Sequence, residues 1–533
     1  MNLNEYQDAY PPRAALPAGA EVMRVAPSPT GSPHIGTALQ AMIDRAAASN
    51  SGGVFILRIE DTDRKRLFPG AIQEILDALS WLGVSPDEGP NVGGDYGPYI
   101  QSERLPIYHA AADWLVDHGH AYPCFCTPER LDAMRQQQIA AGKPPMYDQL
   151  CRALPADEVA ARLAAGEPSV IRLAVPPNTQ IRFTDVLRGE IVFDSNTVDD
   201  QVLLKSDGFP TYHLAVVVDD QLMHVTTEVR GEEWISSTPK HILLYSAFGW
   251  PVPRIAHTAL LRDAERRKLS KRSGDTSLAW FRTQGYLPEG LLNFMARILW
   301  THPDGKDIYS FAEFTQLFSV TALHKSAPVA NMDLLDFING QHIRLLGPDS
   351  LYDTTRGWLA YLLAQDVEEA VFEVGAKGGE RIAHAIPAAA LRAFAAAFTR
   401  DPAYSQRVLS LEPDRYKKLG DIVLQCPLFY SDLFTPPDAA ALAKPLGSAA
   451  AARAALDTYM ARWHASDTHE AWEQSVRAQA DAAGIKPGKL FMTLRIALTA
   501  SEQTPPLYDV LAVLGETEAR RRLTLARDAL AQA

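Results

Sequence analysis

The stretch Val22–Ala47, VMRVAPSPTGSPHIGTALQAMIDRAA, constrains this chain more than any other. Val22 to Ala26 is a short apolar run that reads as a strand, and Pro27 to Pro33 is a turn holding three prolines and Gly31. From Ile35 to Ala48, apolar residues recur at helical spacing (Ile35, Leu39, Met42, Ile43). Strand, tight turn and helix start therefore follow in that order. A helix N-terminus offers unpaired N–H groups and a partial positive charge to an anion. The turn carries Ser28, Thr30, His34 and Thr37 as hydrogen-bonding groups beside Gly31 and Gly36, which let a ligand approach the backbone. It contains neither G-x-x-x-x-G-K-[ST] nor G-x-G-x-x-G. A nucleotide held here would rest on His34 and helix-end N–H groups. The alternative is a Pro- and Ser-rich turn that only starts a helix.

Gly53–Glu60 (GVFILRIE) reads as a second buried strand, closed by the polar Asp61, Thr62 and Asp63. Strand, helix and strand at this spacing fit a parallel sheet, whose ligands lie beyond the carboxyl ends of the strands. Helices are predicted from Gly70 to Leu82 and from Ile107 to His118, around a Gly- and Pro-rich loop, Gly89–Pro98. From Tyr122 to Tyr212 the texture changes. A helical piece, Pro128–Ala141, precedes strand-like runs at Val170–Val175, Ile181–Phe183 and Glu190–Phe193, which reads as an α+β insertion. Leu214–Asp220 and Met223–Arg230 return to buried-strand composition, with helices at Ser237–Phe248 and Leu287–Leu299. Beyond Gly347 the chain turns Ala-rich with helical periodicity, as in Pro387–Thr399, Ala449–Ala465 and Glu516–Leu530, and Pro436–Pro445 reads as a connection.

A chain of 533 residues, 47% hydrophobic, is enough for three to five domains with real cores. Its net charge of −13 argues against a general polyanion coat, yet Arg262–Arg272 is a local patch of six basic residues against Asp263 and Glu265. Four cysteines in a chain of this length point to a reducing compartment. Residues 1–20 include Glu5 and Asp8, several prolines and no apolar segment of signal-peptide type, and no stretch approaches a membrane span. A soluble cytoplasmic protein is expected, with residues 1–20 as a loosely held extension of no assigned function.

Within the basic patch, Lys268–Arg272 reads KLSKR. Two lysines flanking Leu-Ser can bring ammonium groups to a polyphosphate while charge moves in displacement at the α-phosphate. An ordinary solvated loop is the alternative. HIGT after PSPTG, with a later KLSKR, resembles the two nucleotide motifs of class I aminoacyl-tRNA synthetases. RIEDTD (Arg58–Asp63), LLKSDGFPTYHLAVVVDD (Leu203–Asp220) and VRGEEW (Val229–Trp234) are similar to the glutamyl branch of that family. The resemblance runs from about Arg24 to the end of the chain and is densest up to about Arg297.

The resemblance implies ATP-dependent attachment of L-glutamate to tRNA-Glu through a glutamyl-adenylate, with Mg²⁺ carried by ATP and activation dependent on bound tRNA. For ATP it implies Thr30, His34, Gly36, Thr37, Glu233, Trp234 and Lys271, with Lys268 and Ser270 completing the catalytic loop. Thr37 stands where the full motif has a second histidine. A glutamate pocket must meet one ammonium and two carboxylates. Arg24 and Arg230, at predicted strand ends, suit the carboxylates, Glu60 the ammonium, and Ser28 and Tyr212 neutral hydrogen bonds. The same five positions match glutamate-contacting residues of the family, whereas Val216 stands where some members carry Asn. Salt-bridged strand ends and a solvated turn are the bland alternatives. Two arginines facing a neutral amide would lose charge-assisted bonds, so glutamine should be rejected without an editing site.

Cys124, Cys126 and Cys151, with Tyr147 four residues before the last, could form a tetrahedral Zn²⁺ knuckle of the kind some family members carry, or three buried or free thiols. Thr504, Pro505 and Leu507 match positions that meet anticodon bases, and Arg415 is a candidate reader of the third base, with Asp414 one residue away. The expected fold is an α/β Rossmann-like catalytic domain with an inserted α+β acceptor-binding domain, then all-α stem-contact and anticodon-binding domains. The boundaries are a flexible extension at 1–20, catalytic halves at 21–105 and 214–265, and the insertion at 106–213. A stem-contact domain at 266–346 and helical bundles at 347–440 and 441–533 follow. A monomer with no membrane partner is expected.

Overall fold

The computed structural model describes every residue except 14–15, 263–275, 327–328, 376–379, 465–467 and 533. Lys268, Ser270 and Lys271 thus lie outside the described residues. The chain forms two compact units. One comprises Met1–Trp280 with Leu291–Asn331, and the other Phe281–Gly290 with Met332–Ala533.

The first unit begins with α1 (Leu3–Ala9), β1 (Val22–Val25), α2 (Ile35–Ser51), β2 (Val54–Leu57), α3 (Ala71–Leu82) and α4 (Leu105–Asp117). Next come β3 (Ala121–Cys124), α5 (Pro128–Ala140), α6 (Ala156–Ala164), β4 (Val170–Leu173), β5 (Gln180–Asp185), β6 (Gly189–Asp194) and β7 (Val202–Leu204). Then follow α7 (Tyr212–Leu222), β8 (Thr227–Gly231), α8 (Thr238–Phe248) and β9 (Arg254–Thr258). β1 and β2 are parallel, in register from Val22 opposite Val54 to Val25 opposite Leu57. The crossover helix α2 buries Ile35, Leu39, Met42 and Ile43, the residues whose spacing predicts it. The N–H of Thr226 donates to Val22 O at 3.0 Å, and that of Val22 donates to Thr226 Oγ1 at 2.8 Å. These bonds set β8 beside β1. β8 and β9 are parallel in turn.

The β5–β6 hairpin joins β9 through Asp185, paired with Ile255. Asp185 accepts from the backbone N–H groups of Leu187 and Arg188 and from His257 Nδ1 at 2.7 Å. It therefore caps its own turn and ties that turn to the neighbouring strand. β3, β4 and β7 form a separate antiparallel sheet.

Two expectations about this unit are corrected. Leu214–Asp220 is the body of α7, not a strand. Leu214, Ala215, Val216, Val217 and Val218 are all fully buried, so no polar face marks the helical period. The described residues of the extension at 1–20 are also docked and not loose. Leu3 is 3% exposed in the core around α4 and α7, with Tyr6 and Tyr10 packed against it. Arg13 grips Glu88 through two bonds, Nη1 to Oε1 at 2.6 Å and Nη2 to Oε2 at 2.8 Å. It also donates from Nε to Met223 O and lies 3.9 Å from the centre of the Tyr96 ring.

The second unit is mainly helical, with helices including Gly347–Leu363, Ala388–Arg400, Ala449–Arg462, His469–Ala482 and Pro487–Thr499. Its core includes Trp358, Phe372, Phe398, Tyr459, Trp472 and Leu523. It is not all-α, which corrects that expectation. Strands β10 (Glu369–Gly375) and β11 (Arg381–Pro387) form an antiparallel hairpin inside 347–440. Ala370 and Phe372 are buried and Val371 is exposed, a period of two within an otherwise helical tail. The final helix, Leu507–Ala531, is interrupted at Gly515 (φ 74°, ψ 167°).

Candidate active site

Two cavities adjoin at the carboxyl ends of β1 and β8. One, of about 450 Å³, is lined by His34, Gly36 and Thr37 at the start of α2 and by Glu233 and Trp234 just after β8. His34 is the N-cap of α2, and its Nδ1 accepts from the Gly36 N–H at 3.1 Å. Nδ1 is therefore unprotonated, and in the neutral ring Nε2 carries the proton. A Cβ on residue 36 would stand 2.9 Å from Cε1 of that ring, so glycine keeps the imidazole in place. The Ile35 N–H donates to Thr276 O at 3.0 Å and that of Leu278 to Pro33 O at 2.9 Å. Leu261 and Thr276 both line the cavity, so the flanks of segment 263–275 converge on it. Thr30 is exposed and lines neither cavity.

The second cavity, of about 830 Å³, is lined by Arg24, Ser28, Glu60, Tyr212 and Arg230, with Gln40 and Trp234 shared with the first. Five positions spread over more than two hundred residues thus meet in one wall. Arg24 donates to Asp220 from Nε and Nη2, at 3.2 and 3.0 Å. Arg58 reaches the same carboxylate at 2.5 Å and Glu60 at 3.1 Å. Arg230 pairs with Glu228 at 3.1 Å and donates from Nη1 to His241 Nδ1 at 3.0 Å. Burial pushes the Glu60 carboxyl up to about 7, against the pull of Arg58 and Arg24. Burial would raise Asp220 too, but Arg24 and Arg58 hold it at about 2. The Tyr212 and Trp234 rings lie 4.6 Å apart across the mouth.

Away from this wall, Cys124, Cys126 and Cys151 lie with all three Sγ atoms within 4.8 Å of one another. Cys126 and Cys151 are separated by 3.5 Å, and the Tyr147 hydroxyl lies 3.4 Å from Cys124 Sγ and 3.3 Å from Cys126 Sγ. The predicted tetrad is therefore assembled. Burial moves the Cys126 thiol up to about 11; burial would raise Cys124 too, but its hydrogen bonds with Tyr147 and the Cys126 backbone, together with Arg172, outweigh burial and lower it. In the second unit, Arg415, Thr504 and Pro505 line one cavity of about 240 Å³ with Glu412, Gln425 and Gln503. Asp414 instead faces Arg344, at 2.9 Å. Leu507 is buried and does not line that cavity.

A family model described as the catalytic domain of class I tRNA synthetases (E and Q) matches residues 21–337. The chain belongs to that family. An anticodon-binding-domain model matches residues 382–527. A glutamate–tRNA ligase of Gloeobacter violaceus is 58% identical over 528 residues, covering 99% of each chain. One of Acidothermus cellulolyticus is 42% identical over 510 residues, covering 94% of each. Among solved structures, a glutamate tRNA ligase of Elizabethkingia meningosepticum in complex with its amino acid is 32% identical, with a TM-score of 0.79 over 96% of this chain and 99% of that one.

Sequence reading missed the support behind this family's site. Asp219 accepts from Arg104 Nε at 2.8 Å, Gln101 Nε2 at 2.9 Å and the Tyr108 hydroxyl at 2.9 Å. With Arg58, Asp220 and Glu228 it makes a buried lattice of alternating charge. The available signal was VVVDD, two acids closing an apolar run, which solvent would not explain.

Proposed function

We propose that the chain joins L-glutamate to tRNA-Glu using ATP, with ATP in the cavity at the start of α2 and glutamate in the cavity bearing Arg24 and Arg230. The observation that carries this reading is their adjacency. Arg230 and Trp234 line both cavities, so an amino-acid carboxylate beside them is within reach of a nucleotide α-phosphorus. In the first step that carboxylate attacks the phosphorus and diphosphate leaves. In the second, a terminal ribose hydroxyl of the tRNA attacks the adenylate carbonyl and AMP leaves. No side chain acts as a covalent nucleophile.

His34 donates through Nε2–H to a phosphate oxygen, and the positive end of the α2 dipole faces the same cavity, with Thr37 in its lining. Lys268, Ser270 and Lys271 belong to segment 263–275, whose two flanks reach this cavity. Lys271 stabilises charge on the departing diphosphate, and Mg²⁺ arrives with ATP. Arg24 and Arg230 meet the substrate carboxylates, Glu60 its ammonium, and Ser28 and Tyr212 its remaining polar atoms.

The three thiols and Tyr147 fit one Zn²⁺ by donor chemistry and by convergence on one point. Residues 106–213 would form the acceptor-binding insertion, 266–346 the stem contact, and Arg415, Thr504 and Pro505 an anticodon-base pocket, with Leu507 behind them. A cytoplasmic setting accords with four cysteines that are all free thiols, and the chain is read as a monomer. Among the described residues no helix is long and apolar enough to cross a membrane. The test is charging of purified tRNA-Glu and tRNA-Gln side by side with labelled glutamate and ATP. Glutamylated tRNA-Glu is expected, and failure to charge either tRNA would overturn the reading.

A further inference from the structure

Behind Arg230 stands a pair of histidines that the reaction described above does not use. His241, on α8, is 1% exposed, and its Nδ1 lies 3.0 Å from Arg230 Nη1. Its Nε2 lies 3.1 Å from Nδ1 of His213, near the start of α7. A guanidinium only donates, so Nδ1 of His241 must accept and be unprotonated. Nε2 then carries the proton and donates to His213. One hydrogen-bond direction therefore runs from Arg230 through His241 to His213, and it fixes the tautomer of both rings. Burial and the neighbouring Arg230 both disfavour a charged His241, in keeping with this assignment.

We propose that His241 is a positioning residue that aims Arg230 at a carboxylate of the bound amino acid without cancelling its charge. The proposal rests on the glutamate reading of the Arg230 cavity. Arg230 already faces one acid, Glu228, at 3.1 Å. A second carboxylate at the His241 position would neutralise the guanidinium that should attract substrate. An apolar residue would leave Nη1 without its acceptor and the side chain free to swing towards Glu228. A neutral imidazole acceptor avoids both. The Tyr212 hydroxyl, 3.4 Å from the same Nη1, is a longer bond and cannot hold the angle alone. Nε and Nη2 of Arg230 are buried without a hydrogen-bond partner among the described residues, Nη2 keeping only its ion pair with Glu228, so the bond to His241 is the shortest hydrogen bond that orients the guanidinium.

The experiment compares His241→Gln, which retains a neutral acceptor, with His241→Leu, which has none, in aminoacylation with tRNA-Glu. The Leu variant should raise the glutamate KM about tenfold or more, while the KM values for ATP and tRNA stay within about twofold. The Gln variant should remain within about threefold of wild type for glutamate. His213→Leu, one bond further out, should give an intermediate rise and serves if His241→Leu does not fold. Equal effects of Gln and Leu, parallel loss for glutamate and ATP, or no change with Leu or His213→Leu would each overturn the proposal. Wild-type enzyme that failed to charge glutamate would overturn the functional reading instead, which keeps the two separate.

Discussion

Glu60 carries the sharpest expectation for a single side chain. Its carboxyl titrates near 7 because burial outweighs the nearby guanidiniums. If its anion holds the substrate ammonium, glutamate affinity falls as pH drops through 7, by about tenfold at pH 6 relative to its value well above 7. Glu60→Gln should bind weakly at every pH with a flat profile, and a wild-type profile equally flat between pH 6 and 8 would remove the ammonium role. For stability the sign is opposite to that of an ordinary paired acid. The folded-state value lies above the unfolded one, so the contribution of Glu60 to folding is present at low pH and is lost as pH rises through 7. At Gly36, a methyl group would push against the His34 ring. Gly36→Ala should therefore raise the ATP KM several-fold and leave the glutamate KM unchanged, as measured by initial rates.

Elements are legible where breaker residues bound a run, even where, as in β1 and β2, the strand itself is buried. The start of α2 and strands β1 and β2 stand out because apolar spacing and breaker residues mark both ends. All five glutamate-site positions named from sequence fall in one cavity wall, because each sits at an element end where polar residues interrupt an apolar run. α7 reads as a strand because it is dry on every side, and β10–β11 escapes notice because β10 is one short alternation in an Ala-rich helical neighbourhood and β11 is mostly exposed without one. The docked extension was illegible for a different reason. Its anchors are single long-range contacts, Arg13 to Glu88 and Tyr10 to Gly97 O, which have no local signature. Arg13→Ala breaks a mostly buried pair from one side and should cost about 3 kcal/mol in the first unit. An unchanged first thermal transition would show that the clamp carries no weight. In the thiol cluster, one Zn²⁺ per chain is expected by elemental analysis. Its removal by a strong chelator should lower the melting temperature of wild type but not of a Cys124, Cys126 and Cys151 triple serine variant.

For the molecule as a whole, a net charge of −13 leaves RNA binding to local patches. Arg415→Ala, in the second unit, should raise the tRNA-Glu KM about tenfold and leave the KM values for ATP and glutamate alone. Equal loss in all three would argue that Arg415 supports folding instead of reading RNA. The clamp at the other end of the chain also dictates an order of events during synthesis. Arg13 and the Met223 carbonyl it binds are 210 residues apart. At about 5–20 residues per second, the ribosome needs about 10–40 s to deliver that partner. Until then Arg13 can hold Glu88 but not the Met223 carbonyl, so one half of the clamp waits on a stretch made much later than the other.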